Sequence, residues 1–145
     1  MKIIIEEPNS EGEEEIIIRC RQMSSEILQL INAIKTQKQM VIGYENSNIH
    51  RINPMNIYYF EAVDNKVFIY CKEKVYESKL KLYEIEEVFS NSDFLRVAKS
   101  VILNIKKITY LSPAFSGRFE ATLDNGEKTI ISRQYVSDLK KKLRV

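Results

Sequence analysis

Apolar positions in the first fifty residues follow two different spacings. Residues 2–5 and 15–19 are short apolar runs on either side of an acidic turn that contains proline, and this pattern predicts a β-hairpin. From residue 25 to residue 38, apolar side chains recur every three or four positions, with serine available as an N-terminal cap and lysine at the far end. This spacing predicts one amphipathic helix after the hairpin.

Two short strands are predicted next, at residues 41–44 and 49–52 around a polar turn, and the Asn53-Pro54 pair marks a break in the pattern. We place a domain boundary near this break. The expected organisation is an N-terminal arm of hairpin and helix at residues 1–50, followed by the main domain at residues 51–145.

Beyond Pro54 the apolar spacing is mostly two, which is typical of strands with one buried face. Strands are predicted at residues 57–62, 67–71, 73–78, 94–97, 102–104, 105–112, 118–123 and 128–132. Short helices are predicted at residues 80–89 and 134–143. Asp64-Asn65 and Asn125-Gly126 mark hairpin turns, and a primed turn with positive φ at both central residues is expected at Asn125-Gly126. The predicted fold class is mainly β with short helices.

The sequence contains few of the residues from which an enzyme site is built. Cys20 and Cys71 lie far apart, His50 is the single histidine, and the four glycines do not have the spacing of a phosphate-binding loop. The glutamate runs near residues 14 and 86 are typical of solvated faces. We therefore expect no enzyme activity, no cofactor, no metal and no small-molecule substrate.

The hydropathy pattern also bears on location. No window approaches the roughly 18 consecutive apolar residues of a membrane span, and the first residues turn acidic instead of continuing into a signal-peptide core. We expect a cytoplasmic protein without membrane insertion.

Charge is distributed unevenly along the chain, although the net charge is only +2. Residues 1–19 carry six acidic and two basic side chains, whereas residues 90–145 carry eleven basic and five acidic ones. A basic excess in the last third of the chain is a possible electrostatic footprint for a polyanion.

Several motifs from residue 51 to the C-terminus occur in the order and spacing of one family. They are IYYFEA at residues 57–62, FLRVAKSVILNI at 94–105 followed by Ile108, GRF at 117–119, LDNGE at 123–127, and ISRQYV at 131–136 followed by Leu139. In these motifs the chain resembles the LytTR DNA-binding domains. The resemblance implies an elongated arrangement of small antiparallel sheets that presents loops, not a recognition helix, to successive major grooves of duplex DNA.

Carried over residue by residue, the resemblance implies three places that face the bases. They are the loop Asp64-Asn65-Lys66, Lys99, and Arg133 after Ser132. Arginine can bond bidentately to guanine, and lysine can donate to guanine or to phosphate. Phosphate contacts are expected from Lys106, Lys107, Arg118 and Lys128.

Other candidates have structural alternatives of similar weight. Arg96 lies in an alternating strand, where it contacts DNA or pairs with a carboxylate. Ser100, Asn104 and Ser132 either bond phosphate or cap turns. The lysines at residues 140–142 contact DNA or form a solvated helix face.

We therefore predict a transcription regulator that binds double-stranded DNA, as a homodimer on half-sites about one helical turn apart. The alternative is a protein-interaction module on the same fold that uses the acidic arm. About fifty residues before the domain are too few for a receiver domain, so phosphorylation control is not expected. The arm is expected to pack on the domain and to contribute to dimerisation.

Overall fold

The computed structural model describes residues 2–7, 12, 15–37 and 40–145, with the backbone alone at residues 35–37. It contains three α-helices, which are α1 (Ser25–Gln37), α2 (Leu82–Val88) and α3 (Val136–Leu143). The ten strands are β1 (Val41–Glu45), β2 (Asn48–Ile52), β3 (Ile57–Val63), β4 (Lys66–Cys71), β5 (Val75–Ser78), β6 (Phe94–Ala98), β7 (Val101–Asn104), β8 (Ile108–Pro113), β9 (Phe119–Leu123) and β10 (Lys128–Ile131). None of the helices in these residues is long and apolar enough to cross a membrane.

The strands form two antiparallel sheets. Seven strands pair in the order β2-β1-β5-β4-β3-β7-β6, and the remaining three pair in the order β10-β9-β8. The mainly β prediction is therefore confirmed, and the strands lie within a few residues of their predicted positions.

Two hydrophobic cores lie on the two faces of the seven-stranded sheet. Ile102 of β7 and Phe60 of β3 pack with α2 residues on one face, whereas Leu103 and Tyr58 pack with the three-stranded sheet and α3 on the other. Successive side chains of a strand point to opposite faces. Because both faces of β7 are covered, all four of its residues are buried, and its sequence is a continuous apolar run followed by asparagine.

The predicted N-terminal hairpin is not formed by the described residues. Residues 2–7 and 15–20 contain no strand, and their isoleucines are largely exposed, up to 93% at Ile5. Most of the predicted turn, residues 8–11, lies outside the described residues, as does Lys38 at the end of the predicted helix. An isolated two-stranded hairpin is only marginally stable in water, and in the described chain neither run pairs with a strand of the two sheets.

Strands β1 and β2 belong to the main sheet. Tyr44 of β1 pairs with Glu77 of β5, and all five residues of β1 pair with β2. The predicted boundary between residues 50 and 51 falls inside this hairpin.

The two predicted hairpin turns differ from each other in backbone conformation. Asp64 and Asn65 have φ of 51° and 65°, so the primed turn occurs here. At Asn125-Gly126 only Gly126 has positive φ, and the amide of Leu123 bonds to the carbonyl of Glu127. The expectation of a primed turn at Asn125-Gly126 was wrong, because one additional residue in the loop lets a single left-handed glycine reverse the chain.

Candidate nucleic-acid interface

Three loops are connected by main-chain hydrogen bonds along one edge of the molecule. The amide of Ala62, at the end of β3, donates to the carbonyl of Ser100 in the β6–β7 turn at 2.8 Å. The amide of Ser132, after β10, donates to the carbonyl of Val97 in β6, also at 2.8 Å. The β3–β4 turn, the β6–β7 turn and the segment after β10 therefore form one continuous edge, which we call the loop edge.

The β3–β4 turn is the first part of the loop edge. Its two central residues adopt the left-handed conformation, which short polar side chains tolerate better than branched ones. Lys66 follows directly, and its side chain is 65% exposed with Nζ 3.6 Å from Oε1 of Glu77. This exposed pair is weak enough for a stronger anion to replace the carboxylate.

The β6–β7 turn presents Lys99, and Arg96 supports this turn from within the protein. Arg96 donates from Nε to the carbonyl of Ala98 at 3.0 Å, from one terminal nitrogen to the carbonyl of Lys99, and from the other to Glu86. Its side chain is only 21% exposed. The carboxylate-pairing alternative for Arg96 thus agrees with the geometry, and Arg96 positions the backbone from which Lys99 projects.

Arg133 follows Ser132 in the segment after β10, and its side chain packs against the β8–β9 loop. Gly117 in this loop has φ of 76°, and a Cβ placed there would lie 3.0 Å from Cδ of Arg133. The absence of a side chain at Gly117 therefore allows the Arg133 stem to lie close to the loop backbone. Arg118 follows and is exposed, as is Phe115, which is 90% accessible.

The basic side chains of the loop edge and of the adjoining β8–β9 loop differ in charge pairing, because Lys66 is paired with Glu77 whereas three others have no partner. Within the part of the chain that the structure describes, the side chains of Lys99, Arg118 and Arg133 have no ion-pair or hydrogen-bond partner. By contrast, Lys128 lies 3.7 Å from Glu120 and Lys106 lies 3.3 Å from Asp93. The unpaired cations on and beside the loop edge give this surface positive charge, which favours contact with a polyanion.

The remaining predicted DNA-contact residues lie away from the loop edge or form contacts within the fold. Asn104 is buried, donates to the carbonyl of Ile57 at 2.9 Å and accepts from the amide of Lys106 at 3.1 Å, so both its amide nitrogen and its amide oxygen are engaged within the fold. Lys107 lies over the Tyr58 ring, with Nζ 4.9 Å from its centre. Both lysines lie beyond β7, whose four residues separate them from Ser100 by roughly 13 Å.

Two serines of the loop edge form hydrogen bonds through their backbone groups. The Ser100 carbonyl accepts the bond from Ala62, and Ser132 bonds through its amide to Val97 and through its carbonyl to the amide of Tyr135. The side chain of Ser132 makes no capping bond. The hydroxyl group is therefore available at the surface beside Arg133.

The opposite end of the two sheets is also tied together. The hydroxyl of Tyr58 donates to Asp124, and the amide of Asp124 donates to the carbonyl of Lys107 at 2.9 Å. The hydrogen bond to Asp124, together with burial and nearby carboxylates, raises the pKa of Tyr58 to about 12. The phenol therefore stays protonated at neutral pH and links β3 to the β9–β10 turn.

Phe115 and Gly117 were not among the predicted DNA-contact residues, although Gly117 belongs to the family motif at residues 117–119. A phenylalanine beside Ser-Gly between two strands is a turn signal, but the contact between Gly117 and Arg133 depends on the pairing of β8 with β9 and of β9 with β10. The described residues contain no group of three or more histidine, cysteine or acidic side chains arranged to hold a metal.

Comparison with known proteins identifies the family. A model of the LytTr DNA-binding domain matches residues 47–144, well over half of the chain. The chain belongs to the LytTr DNA-binding domain family. The family predicted from the motifs is confirmed, and the match begins before the predicted start of the main domain.

A solved structure agrees with this family. The LytTr DNA-binding domain of a Bacillus cereus protein, described as a methyl-accepting/DNA response regulator, superposes with a TM-score of 0.69 at 26% identity, covering 73% of this chain and 97% of that domain. An uncharacterised HTH-type transcriptional regulator of Staphylococcus aureus strain NCTC 8325 is 28% identical over 138 residues, or 94% of this chain and 93% of that protein. A similar regulator of strain MRSA252 is 27% identical over the same length.

Proposed function

We propose that this LytTr protein is a transcription regulator that binds duplex DNA sequence-specifically with the loop edge. The observation that carries the proposal is the continuity of that edge, where hydrogen bonds bring the turns of Lys66, Lys99 and Arg133 together. The unpaired cations and the family match support the same conclusion. No observation favours the protein-interaction alternative, for which these three residues would be expected to be dispersed.

The loops enter successive major grooves, and their side chains divide into base-reading and backbone-holding groups. Arg133 can form a bidentate pair with guanine, and Lys99 can donate to guanine from the neighbouring turn. Arg118, Ser132 and Ser100 lie beside them and bond phosphates. Lys106 and Lys107 project from the other end of β7, so their contribution is limited to phosphates outside the loop edge.

The test begins with genomic fragments captured by the protein and sequenced, because the operator is unknown. Arg133→Ala should then lose about 1–3 kcal/mol on the recovered site and much less on a scrambled duplex, since a base contact exists only where its base is present. Arg51→Ala removes the same charge from an exposed position on β2 and serves as the control.

Three outcomes would decide this assignment. Base reading requires a loss that appears on the recovered site alone. Equal losses on both duplexes would make Arg133 a phosphate contact, and no loss on either, in a variant that folds normally, would remove the loop edge from the interface.

We further propose that the protein acts in the cytoplasm as a homodimer, with the arm contributing to assembly. The exposed isoleucines of residues 3–5 and 16–17 and the exposed Leu28 and Leu30 of α1 are apolar surface that association would cover. Removing the residues before Val41 should lower the sedimentation coefficient by more than the lost mass alone explains. An unchanged association state would assign dimerisation to the domain or exclude it.

A further inference from the structure

A cavity of about 300 Å³ lies between α1 and the sheet domain, away from the loop edge. Gln29 and Ala33 of α1 form one wall. Phe94 and Ile105, which are both buried, line the domain side together with Pro54. The cavity is therefore bounded by the family domain and by the helix that precedes the residues matched to the family.

The charged side chains that line this cavity carry a net positive charge. Lys106, Lys142 and Arg144 line it, and Asp93 is its one acidic side chain, already 3.3 Å from Lys106. Arg144 donates to the neutral side chain of Gln29 at 2.8 Å. Lys142 is half-buried and has no anionic partner among the described residues.

The buried polar side chains at this cavity are otherwise satisfied. The hydroxyl of Ser92 donates to the carbonyl of Phe89 and accepts from the amide of Phe94. Asn104 bonds to Ile57 through its amide nitrogen and to Lys106 through its amide oxygen, as described above. A ligand would therefore find apolar surface and two cations without carboxylate partners, Lys142 and Arg144.

We propose that this cavity is a binding site for a small organic anion that carries a carboxylate and an apolar body. The carboxylate would pair with Lys142 and Arg144, and the apolar body would cover Phe94 and Ile105. A cavity of this volume is at the lower end of the range for small-molecule sites. Charge-assisted bonds to two cations supply the orientation, while apolar burial supplies the remaining affinity.

The position of this site makes it compatible with bound DNA. Asn104 and Lys106 lie at one end of β7 and Ser100 of the loop edge lies at the other, roughly 13 Å away. A ligand here would contact α1 and the end of α3 together, and would hold the arm helix against the domain. The site thus lies away from the loop edge, shares only Lys106 with the phosphate contacts proposed above, and can be tested without DNA.

The experiment uses phenylacetate and phenylacetamide, which have nearly the same shape but differ in charge. Calorimetric titration of the full chain should show binding of phenylacetate and at least tenfold weaker binding of phenylacetamide, because the amide cannot form the ion pairs. Lys142→Gln should weaken phenylacetate binding about tenfold, whereas Lys141→Gln, the same change at the exposed neighbour, should not.

A second variant tests the cavity without changing its charge. Ala33→Leu adds apolar volume on the α1 wall and should also weaken phenylacetate binding, with circular dichroism used to check that α1 persists. The proposal is overturned if phenylacetate does not bind at millimolar concentration. It is equally overturned if phenylacetamide binds as well as phenylacetate, or if Lys142→Gln and Lys141→Gln behave alike.

Discussion

Gly117 offers a direct test of how backbone geometry controls the loop edge. It has φ of 76°, and a Cβ added there would lie 3.0 Å from Cδ and 3.2 Å from Cγ of Arg133. Gly117→Ala therefore introduces backbone strain and also pushes on the stem of the residue that we assign to base reading. The two effects can be separated, because at another glycine of the chain an added methyl group would cause backbone strain without such a contact.

Gly126 is that matched control. Its φ is 89°, and a Cβ added there would meet nothing within 4 Å. An alanine in the left-handed region costs about 1–2 kcal/mol, so Gly117→Ala and Gly126→Ala should lower the free energy of unfolding by similar amounts. The Arg133 stem is flexible and can shift by a few tenths of an ångström, so the steric contact should add little to the loss of stability.

DNA affinity should respond differently to the two substitutions. Bidentate geometry is sensitive to small displacements of the Arg133 stem, so Gly117→Ala should lose part of the roughly 1–3 kcal/mol of discrimination that such a pair supplies. Gly126→Ala lies in the β9–β10 turn near Asp124 and should bind the cognate site like the parent chain. Urea unfolding and fluorescence anisotropy measure the two quantities. Equal loss of DNA affinity in both variants would refute the argument, since it would trace the effect to general destabilisation.

Three further predictions follow from the same contacts. Asn104→Ala should lower the free energy of unfolding by about 2–4 kcal/mol, because the buried carbonyl of Ile57 and the partly buried amide of Lys106 lose this partner, and a loss below about 0.5 kcal/mol in urea unfolding would contradict this. The raised pKa of Tyr58, about 12 against an ordinary 10.0, means that its contribution to stability is complete below pH 10 and is lost as the pH rises towards 12. Tyr58→Phe should therefore lose less stability over that range than the parent chain, and equal losses would show that another group dominates. DNA affinity should fall linearly on a log–log plot against salt, and Arg118→Ala should reduce the slope by about one; an unchanged slope would place Arg118 outside the interface.

Local patterns were sufficient for most of the strands. The alternation in residues 57–71 and the apolar run at residues 101–103 reflect whether one or both faces of the strand are covered. Both segments form paired strands. The family motifs also indicated the loops that carry Lys66, Lys99 and Arg133. These features were predictable because they depend on residues close together in sequence.

Other features depend on partners distant in sequence. Asn104 has the same local pattern whether it caps a turn or faces DNA, and only its burial against Ile57 separates the two. The role of Arg96 likewise depends on its ion pair with Glu86, which lies on a different element, α2. The isoleucines near the N-terminus have strand periodicity, but periodicity alone supplies no partner, and no strand forms in the described part of that segment.

The backbone hydrogen bonds that hold the loop edge together determine which of its side chains can be exchanged. Its connections are backbone hydrogen bonds, from Ala62 to Ser100 and from Ser132 to Val97, so they do not depend on the side chains that face outward. In the described chain each α-helix is separated from the next by strands, so no adjacent helix pair presents a recognition helix, although the Staphylococcus aureus relatives are described as HTH-type regulators. Side chains at positions 66, 99 and 133 can therefore change without disturbing the scaffold. Arg96 and Gly117 are different, because one supports the Lys99 backbone and the other leaves space for Arg133. Exchanging residues 66, 99 and 133 for those of a relative should consequently transfer its DNA preference while leaving stability nearly unchanged.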